Sequence, residues 1–149
     1  AIDGSKVWER KIPCKKIPRG EKFTEGGLFA TPLPGKGNCS DRLYVCCITN
    51  TPAHHGDFMA IDKKTGEIIY STHLDWYPWM SPISFLNENN EEFIVAGDTQ
   101  GKLYLINGKT GEIIYKNKVG LNFESSPAVR ANSFVLGSRG TQIYKFHIE

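Results

Sequence analysis

The chain has 149 residues, 40% of them hydrophobic and 23% charged, with a formal net charge of +2. This composition is that of a globular domain and excludes a disordered chain. Every apolar run is shorter than the roughly 20 residues that cross a bilayer, so no membrane span is predicted. The small net charge argues against nucleic acid as a partner, because proteins that bind it carry extended basic surfaces.

An internal repeat is the dominant feature of the sequence. Thr65–Tyr70 and Thr110–Tyr115 have the same six residues, TGEIIY, at a spacing of 45. Ser81–Pro82 recurs as Ser126–Pro127 at this spacing, and Thr31–Pro32 precedes Ser81–Pro82 by 50. A period of about 40 to 50 residues is typical of propeller blades and of helical repeats.

The predicted elements are short strands rich in β-branched and aromatic residues and bounded by turn residues. They begin with an isolated strand at Lys6–Ile12, and Leu43–Val45 is aligned with Phe93–Val95 at a spacing of 50. Three groups of strands then follow: Ala30–Leu33, Leu43–Ile48, Phe58–Asp62 and Ile68–Thr72; Met80–Phe85, Phe93–Gly97, Leu103–Asn107 and Ile113–Lys116; Pro127–Arg130, Phe134–Gly137 and Ile143–His147.

Strands such as Leu103–Ile106 are apolar at consecutive positions, which indicates that both faces of their sheet are covered. In a propeller each blade is covered by its two neighbours. We therefore predict an all-β chain of about three β-propeller blades, each built of four antiparallel strands. Residues 1–27 form an outer strand and an insertion, 28–75 and 76–119 form two blades, and 120–149 form an incomplete third blade.

The repeat resembles the PQQ-like (quinoprotein-type) β-propeller family over nearly the whole chain. The family repeat has a Ser-Pro step, a strand ending in Gly, a Gly-x-Leu-Tyr strand and a Thr-Gly turn. The corresponding segments here are Ser126–Pro127, Phe134–Gly137, Gly101–Asn107 and Thr110–Tyr115. Trp8 retains the family's docking tryptophan, whereas Tyr70 and Tyr115 replace it. The resemblance implies that these rings pack between blades, and a tyrosine there needs a partner for its hydroxyl.

Three blades do not close a ring, because propellers have roughly four to eight. Two broad apolar blade faces would then stay open. One interpretation is the C-terminal part of a longer propeller, which Ala1–Asp3 favours because it looks like the end of a preceding strand. The other is a homodimer that closes a six-bladed ring, with Lys6–Ile12 of one copy beside Ile143–His147 of the other.

Trp76, Tyr77 and Trp79 are the candidate residues for binding a ligand or partner. They precede an inner strand, and exposed aromatics at the mouth of a propeller stack on a sugar, a peptide or a quinone ring. The alternative is that they pack between blades. The corresponding loop, Gly120–Glu124, keeps one aromatic residue, which favours packing.

The cysteines allow two interpretations. Quinoprotein alcohol dehydrogenases carry an adjacent-cysteine disulfide, which Cys46 and Cys47 resemble; here they are aligned with Ala96–Gly97 in a strand. Adjacent strand residues point to opposite faces, so we predict two buried thiols. Cys14 and Cys39 are a candidate disulfide in a secreted protein, with two reduced loop thiols as the alternative.

The candidate functions follow from the resemblance. It implies a non-catalytic binding or scaffold module for protein or cell-envelope partners, without a cofactor and outside the cytoplasm. The alternative is a piece of a quinoprotein dehydrogenase that binds PQQ with calcium, for which Glu124 and Arg139 are candidate axial residues. No metal site is predicted, because one group of histidines and aspartates has no spacing typical of metal ligands: His54, His55, Asp57, His73 and Asp75.

Overall fold

The computed structural model describes residues 3–15, 27–49 and 55–148. Eleven strands form three antiparallel sheets, which we call blades 1, 2 and 3. Their strands are, in blade 1, β1 (Leu33–Pro34), β2 (Arg42–Ile48), β3 (Gly56–Asp62) and β4 (Ile68–Leu74); in blade 2, β5 (Ile83–Leu86), β6 (Glu92–Gly97), β7 (Lys102–Asn107) and β8 (Ile113–Lys118); in blade 3, β9 (Ala128–Arg130), β10 (Ser133–Gly137) and β11 (Ile143–His147). Within the described residues the one helix is a 3-10 turn at Gly37–Cys39, and none is long and apolar enough to cross a membrane.

The blades stack face to face on two apolar layers. Between blades 1 and 2, Tyr44 and Phe58 share a cluster with Ile94. Between blades 2 and 3, Val95 shares a cluster with Phe134. Both faces of blade 2 are therefore covered, and this explains why its strands have apolar residues at consecutive positions. The predicted all-β architecture of propeller blades is confirmed.

The Thr/Ser-Pro steps lie side by side at one edge of the stack. The backbone N–H of Thr31 donates to Ser81 Oγ (3.1 Å), and Ser126 Oγ donates to Ser81 Oγ (3.0 Å). These contacts bring together the starts of the first strands of the three blades, which form the inner edge.

The turn between the third and fourth strands of a blade is built the same way twice. The Asp62 carboxylate accepts the N–H of Lys64 at 2.8 Å, and the Asn107 side chain accepts the N–H of Lys109 at 2.9 Å. These are Asx turns, and each ends on a glycine with positive φ. The repeated Thr-Gly-Glu segment is thus a hairpin turn, as its sequence indicates.

Aromatic rings dock on these turns from the preceding outer segment. Trp8 lies against Gly66, and Tyr70 lies against Gly111. The Tyr70 hydroxyl donates to the carbonyl of Gly108 at 2.8 Å. The expectation that a docking tyrosine needs a partner for its hydroxyl is confirmed for Tyr70.

The predicted strand at Lys6–Ile12 is wrong, because this segment does not form a strand. The segment runs along blade 1, and its Trp8 and Ile12 pack on a cluster that contains Val45 and Met59. Its backbone pairs with none of the strands in the described residues. The outer face of blade 1 is consequently covered, contrary to the expectation that both end faces of the stack stay open.

The alignment of the second strands at a spacing of 50 is also wrong. Leu43 pairs with Ile61, whereas Ile94 pairs with Ile106, so Leu43 corresponds to Ile94 at a spacing of 51. A slip of one residue exchanges the two faces of a strand. The extra residue lies in the connection between the first and second strands of blade 2, which has no signal of its own in the sequence.

The inner strands are shorter than predicted. In blade 1 the inner strand is confined to Leu33–Pro34 instead of Ala30–Leu33, and in blade 2 it begins at Ile83 instead of Met80. Each starts after the proline of the Thr/Ser-Pro step, because proline has no N–H to donate to a ladder.

Candidate functional site

The upper end of the stack, where each outer strand connects to the next inner strand, holds the candidate residues. Each connection is clamped to a hairpin of the following blade. The N–H of Thr99 donates to the Tyr77 carbonyl at 3.2 Å, and the N–H of Arg139 donates to the Asn122 carbonyl at 3.1 Å. Tyr77 and Asn122 are 45 residues apart, so the clamp belongs to the repeat.

Four aromatic residues form a continuous row at this end. The ring centroids of Trp76 and Tyr77 are 5.8 Å apart, and those of Tyr77 and Trp79 are 5.3 Å apart. Phe29 extends the row, with its ring 5.5 Å from that of Trp79. Tyr77 is buried, Trp76 and Trp79 are half-buried, and Phe29 is 45% exposed. The row is thus part packing and part accessible surface.

Phe29, Trp79 and Glu124 occupy the same position of the repeat, two residues before each Thr/Ser-Pro step. The contacts of Ser81 with Thr31 and Ser126 hold these steps together at the inner edge. The three side chains therefore follow one another around the inner upper end of the stack. We call this set, with Trp76 and Arg139, the upper rim.

Glu124 is held by two partners. Its Oε2 lies 3.0 Å from Arg139 Nε, and its Oε1 accepts from Asn122 Nδ2 at 2.8 Å. The Arg139 side chain is 71% exposed, so its outer face remains accessible to a partner. The structure thus brings the two predicted axial residues together as an ion pair.

An ion-pair network stands beside the aromatic row. Asp75 contacts Lys102 Nζ at 2.6 Å and Lys116 Nζ at 3.0 Å, which ties the end of blade 1 to blade 2. Hydrogen bonds from Lys102 and then Lys116 lower the pKa of the Asp75 carboxyl below its ordinary value. Asp75 was considered only as a metal ligand, and its pairing with lysines on other strands is a contact that sequence reasoning missed.

A buried network supports the same end. Asp98 is fully buried, accepts the Tyr104 hydroxyl at 2.7 Å on Oδ2, and accepts two backbone N–H groups on Oδ1. Burial, followed by this hydrogen bond, raises the pKa of the Tyr104 phenol, so it stays a donor. The hairpin that clamps the aromatic connection is therefore rigidly held.

The structure brings together the predicted aromatic residues and, separately, Glu124 and Arg139, which were predicted as axial residues and form an ion pair. Sequence reasoning missed Phe29, although it stands 50 residues before Trp79. The same spacing relates Thr31–Pro32 to Ser81–Pro82. The signal was present in the spacing. It was overlooked because the residue type differs between the repeats.

The cysteines are all free thiols. The candidate disulfide between Cys14 and Cys39 is not formed, because Cys39 lies in the cluster between blades 1 and 2 while Cys14 packs on the opposite face of blade 1. Cys46 and Cys47 are buried on opposite faces, as predicted for adjacent strand residues. The strand register aligns them with Gly97 and Asp98 instead of Ala96 and Gly97.

The histidine region holds a pair of rings and one carboxylate. The His55 and His73 ring centroids are 4.7 Å apart, and His73 Nδ1 lies 3.0 Å from Asp57 Oδ1. In the described part of the chain no group of three or more His, Cys, Asp or Glu side chains is arranged to hold a metal. His54 lies outside the described residues.

The upper rim does not offer the ligands that calcium, the metal paired with PQQ, requires. Calcium takes six to eight oxygen ligands, largely from carboxylates and carbonyls. Glu124 is the one carboxylate in the rim set, and both of its oxygens are already engaged. The rim residues therefore do not form a calcium site, and no step through PQQ is derived from them.

The chain resembles known proteins in its fold. No family model matches the chain, and no curated protein matches it. Among solved structures it is similar to BamB from Moraxella catarrhalis, with a TM-score of 0.52 and 18% identity over 72% of this chain and 30% of that one. The fold is that of a partial β-propeller. At this identity the likeness supports a PQQ-like propeller fold and says nothing of activity.

A europium-containing methanol dehydrogenase is a further match, with a TM-score of 0.43 and 13% identity over 76% of this chain and 21% of that one. This likeness is too low to carry an argument. The chain spans less than a third of the length of either protein.

Proposed function

We propose that this chain is a non-catalytic β-propeller module that binds a protein partner through its upper rim. The observation that carries the proposal is the aromatic pair of Phe29 and Trp79 beside the ion pair of Glu124 and Arg139 around one end of the stack. Half-exposed aromatic and arginine side chains are the residue types that dominate protein–protein binding energy.

The chemistry of the rim suits a segment with an apolar side chain and a carboxylate. The apolar side chain would pack on Trp79, and the carboxylate would take the exposed N–H groups of Arg139. Leu121, at the repeat position of Trp76, is 64% exposed and adds apolar area to the same end. Rigid support by the clamped connections lowers the entropy lost on binding.

The experiment is site-specific photo-crosslinking in cells of origin, with the crosslinker at Leu121, at the same end as the upper rim, or at Lys64 on a turn between strands. The expected result is one protein captured at Leu121 and not at Lys64, with capture lost in Trp79→Ala and Arg139→Glu. The captured protein, purified, should bind about tenfold or more weakly to each variant by calorimetry. Equal affinity for the variants contradicts the proposal.

The dehydrogenase alternative predicts turnover. The chain would be mixed with PQQ and Ca²⁺ and assayed for dye-linked oxidation of alcohols and sugars. Oxidation that depends on Glu124 would replace the binding module by an enzyme fragment. The engaged oxygens of Glu124 favour the binding module.

An extracytoplasmic location, at the cell envelope, is part of the proposal and rests on the family resemblance. The burial of Cys39, Cys46 and Cys47 is compatible with an oxidising compartment, because buried thiols are poorly reactive. Fractionation of the full-length protein, with a periplasmic or secreted reporter as the reference, tests it. Recovery in the cytosolic fraction contradicts this part of the proposal.

A further inference from the structure

Each turn between the third and fourth strands of a blade sits in a seat made by the preceding outer segment. In the seat for blade 1, Trp8 Nε1 donates to the Lys63 carbonyl at 3.0 Å. In the seat for blade 2, the Tyr70 hydroxyl donates to the Gly108 carbonyl at 2.8 Å. Lys63 and Gly108 are 45 residues apart and directly follow the Asx residue of their turns.

A second donor, two residues after the aromatic one, completes each seat. Arg10 Nε donates to the Gly66 carbonyl at 2.7 Å, and Thr72 Oγ1 donates to the Gly111 carbonyl at 2.6 Å. Each seat therefore consists of two side-chain donors, an aromatic one and a polar one two residues later. Both donate to backbone carbonyls of the turn, which ends in glycine.

A third seat of this chemistry is present, and no turn of the described residues occupies it. Tyr115 and Asn117 follow the same spacing on β8, and Tyr115 is 58% exposed. Together with Leu105, Phe146 and Ile148 they line a largely apolar cavity of about 320 Å³ between blades 2 and 3. The seat is thus formed in the structure, on the face where a turn of blade 3 would enter.

The edge of blade 3 beside this seat is an unpaired strand in the described residues. β3 and β7 each have an outer neighbour, whereas β11 pairs only with β10. The N–H of Ile148 and the carbonyl of Gln142 bond to the β10 side, so by antiparallel alternation Ile143, Lys145 and His147 direct their N–H and C=O groups outward. Such an edge is a template for an added strand.

The N-terminal segment carries the matching element. The N–H of Ser5 donates to Asp3 Oδ1 at 3.0 Å, as the N–H of Lys64 donates to Asp62, although the segment from Asp3 to Trp8 is three residues shorter than that from Asp62 to Tyr70 and has no Thr-Gly pair. Trp8 then takes the docking position. Lys6–Ile12 therefore has the packing of an outer strand on blade 1, yet within the described residues it belongs to no sheet.

We propose that two copies of this chain join by strand exchange, with Asp3–Ile12 of one copy added as the fourth strand of blade 3 of the other. The Asx turn at Asp3 fills the seat formed by Tyr115 and Asn117, and Lys6–Ile12 pairs antiparallel with β11. Each copy adds its N-terminal segment to β11 of the other, so the two junctions are related by a two-fold axis and the interface as a whole is isologous. Two such junctions close a ring of blades. The upper-rim binding function does not depend on this junction.

Sedimentation analysis of the purified chain across micromolar concentrations tests the junction. The expected result is a dimer that Tyr115→Ala and Lys145→Pro each weaken about tenfold or more, because one empties the seat and the other removes an outward N–H at an edge where proline is tolerated. The matched control, Ile114→Ala, changes the exposed neighbour of Tyr115 and leaves the dimer intact. A monomeric wild-type chain, or equal association in all variants, overturns the proposal.

Engineered disulfide formation locates the added strand. In blade 2, Leu103 pairs with Asn117, so the repeat places Ile143 of one copy opposite Arg10 of the other. Ile143→Cys combined with Arg10→Cys, in a Cys14→Ser background, should form a disulfide between copies. Ile143→Cys combined with Lys64→Cys is the control and should not. Equal cross-linking of both pairs, or none of the first, overturns the proposed register.

Discussion

The phenol ring of Tyr70 lies so close to Gly111 that a Cβ added to this glycine would be 2.5 Å from two ring carbons. The glycine is thus required twice over, for the space under the ring and for its φ of 78°. Blades 1 and 2 are held together at this point, because the Tyr70 hydroxyl also donates to the Gly108 carbonyl of the same turn.

Gly111→Ala should lower the free energy of unfolding by about 2–4 kcal/mol, since the methyl group meets the ring and the backbone is left-handed. Urea denaturation followed by tryptophan fluorescence measures the change. Gly27→Ala is the control, because Gly27 has a φ of 80° and no atom within 4 Å of an added Cβ. It should cost only about 1 kcal/mol. Equal losses would show that the ring contact contributes nothing.

The buried pair of Tyr44 and Glu92 should behave as a coupled unit. The Tyr44 hydroxyl lies 2.9 Å from Glu92 Oε2, and Glu92 is 1% exposed. Tyr44→Phe should cost about 1–3 kcal/mol, because it leaves the buried Glu92 carboxyl without this donor. Glu92→Leu should cost less, because the Tyr44 hydroxyl can still donate to the Gly108 carbonyl at 3.1 Å. The double variant should cost less than the sum of the two. A double-mutant cycle by chemical denaturation measures the coupling, and additive losses would contradict it.

Acid should weaken the network at Asp75. Its pKa in the folded state is below the ordinary value, so its stabilisation is complete above that value and is lost as the pH falls through the folded pKa. The Tm of the wild type should therefore fall more steeply than that of Asp75→Asn between about pH 5 and pH 2. The effect is modest because the carboxylate is partly exposed. Parallel curves for the two proteins would contradict the shift.

The thiols of Cys46 and Cys47 should be unreactive in the folded protein. Burial raises the pKa of both, that of Cys47 to about 12, so neither is a thiolate at neutral pH. An aromatic disulfide reagent at pH 8 should modify them only after denaturant is added. Cys14, which is half-buried, should react first, and Cys14→Ser should remove that early phase. Rapid labelling of Cys46 in the native state would contradict the burial.

The strands and the repeat were predictable because they depend on local residue patterns. The docking role of Tyr70 was predictable too, since Tyr70 and Tyr115 end the same repeated segment, 45 residues apart, where the resembled family has its docking aromatic residue. The register between blades was not, because one added residue in a connection shifts a strand without altering its pattern. Sequence patterns are blind to such shifts unless the flanking turn lengths are known.

The candidate site was only partly predictable. The sequence alone identifies Trp76, Tyr77 and Trp79 as candidate residues, because three large aromatic residues within four positions are unusual. The pairing of Glu124 with Arg139 depends on a clamp between a connection and a hairpin of the next blade. Contacts of that kind join residues from separate strands, and a single sequence carries no signal for them.

The strand β9 is exposed along its whole length, whereas the equivalent β5 is buried at its first three residues. Local opening requires least free energy where few apolar contacts and few shielded hydrogen bonds must be broken. The chain should therefore unravel directionally, with amide protons of β9 exchanging long before those of β6 and β7. Binding of a strand to β11, the outer edge of blade 3, would then slow the amide exchange of β9. The exchange rate of this inner strand would therefore report whether the outer edge of its blade is occupied.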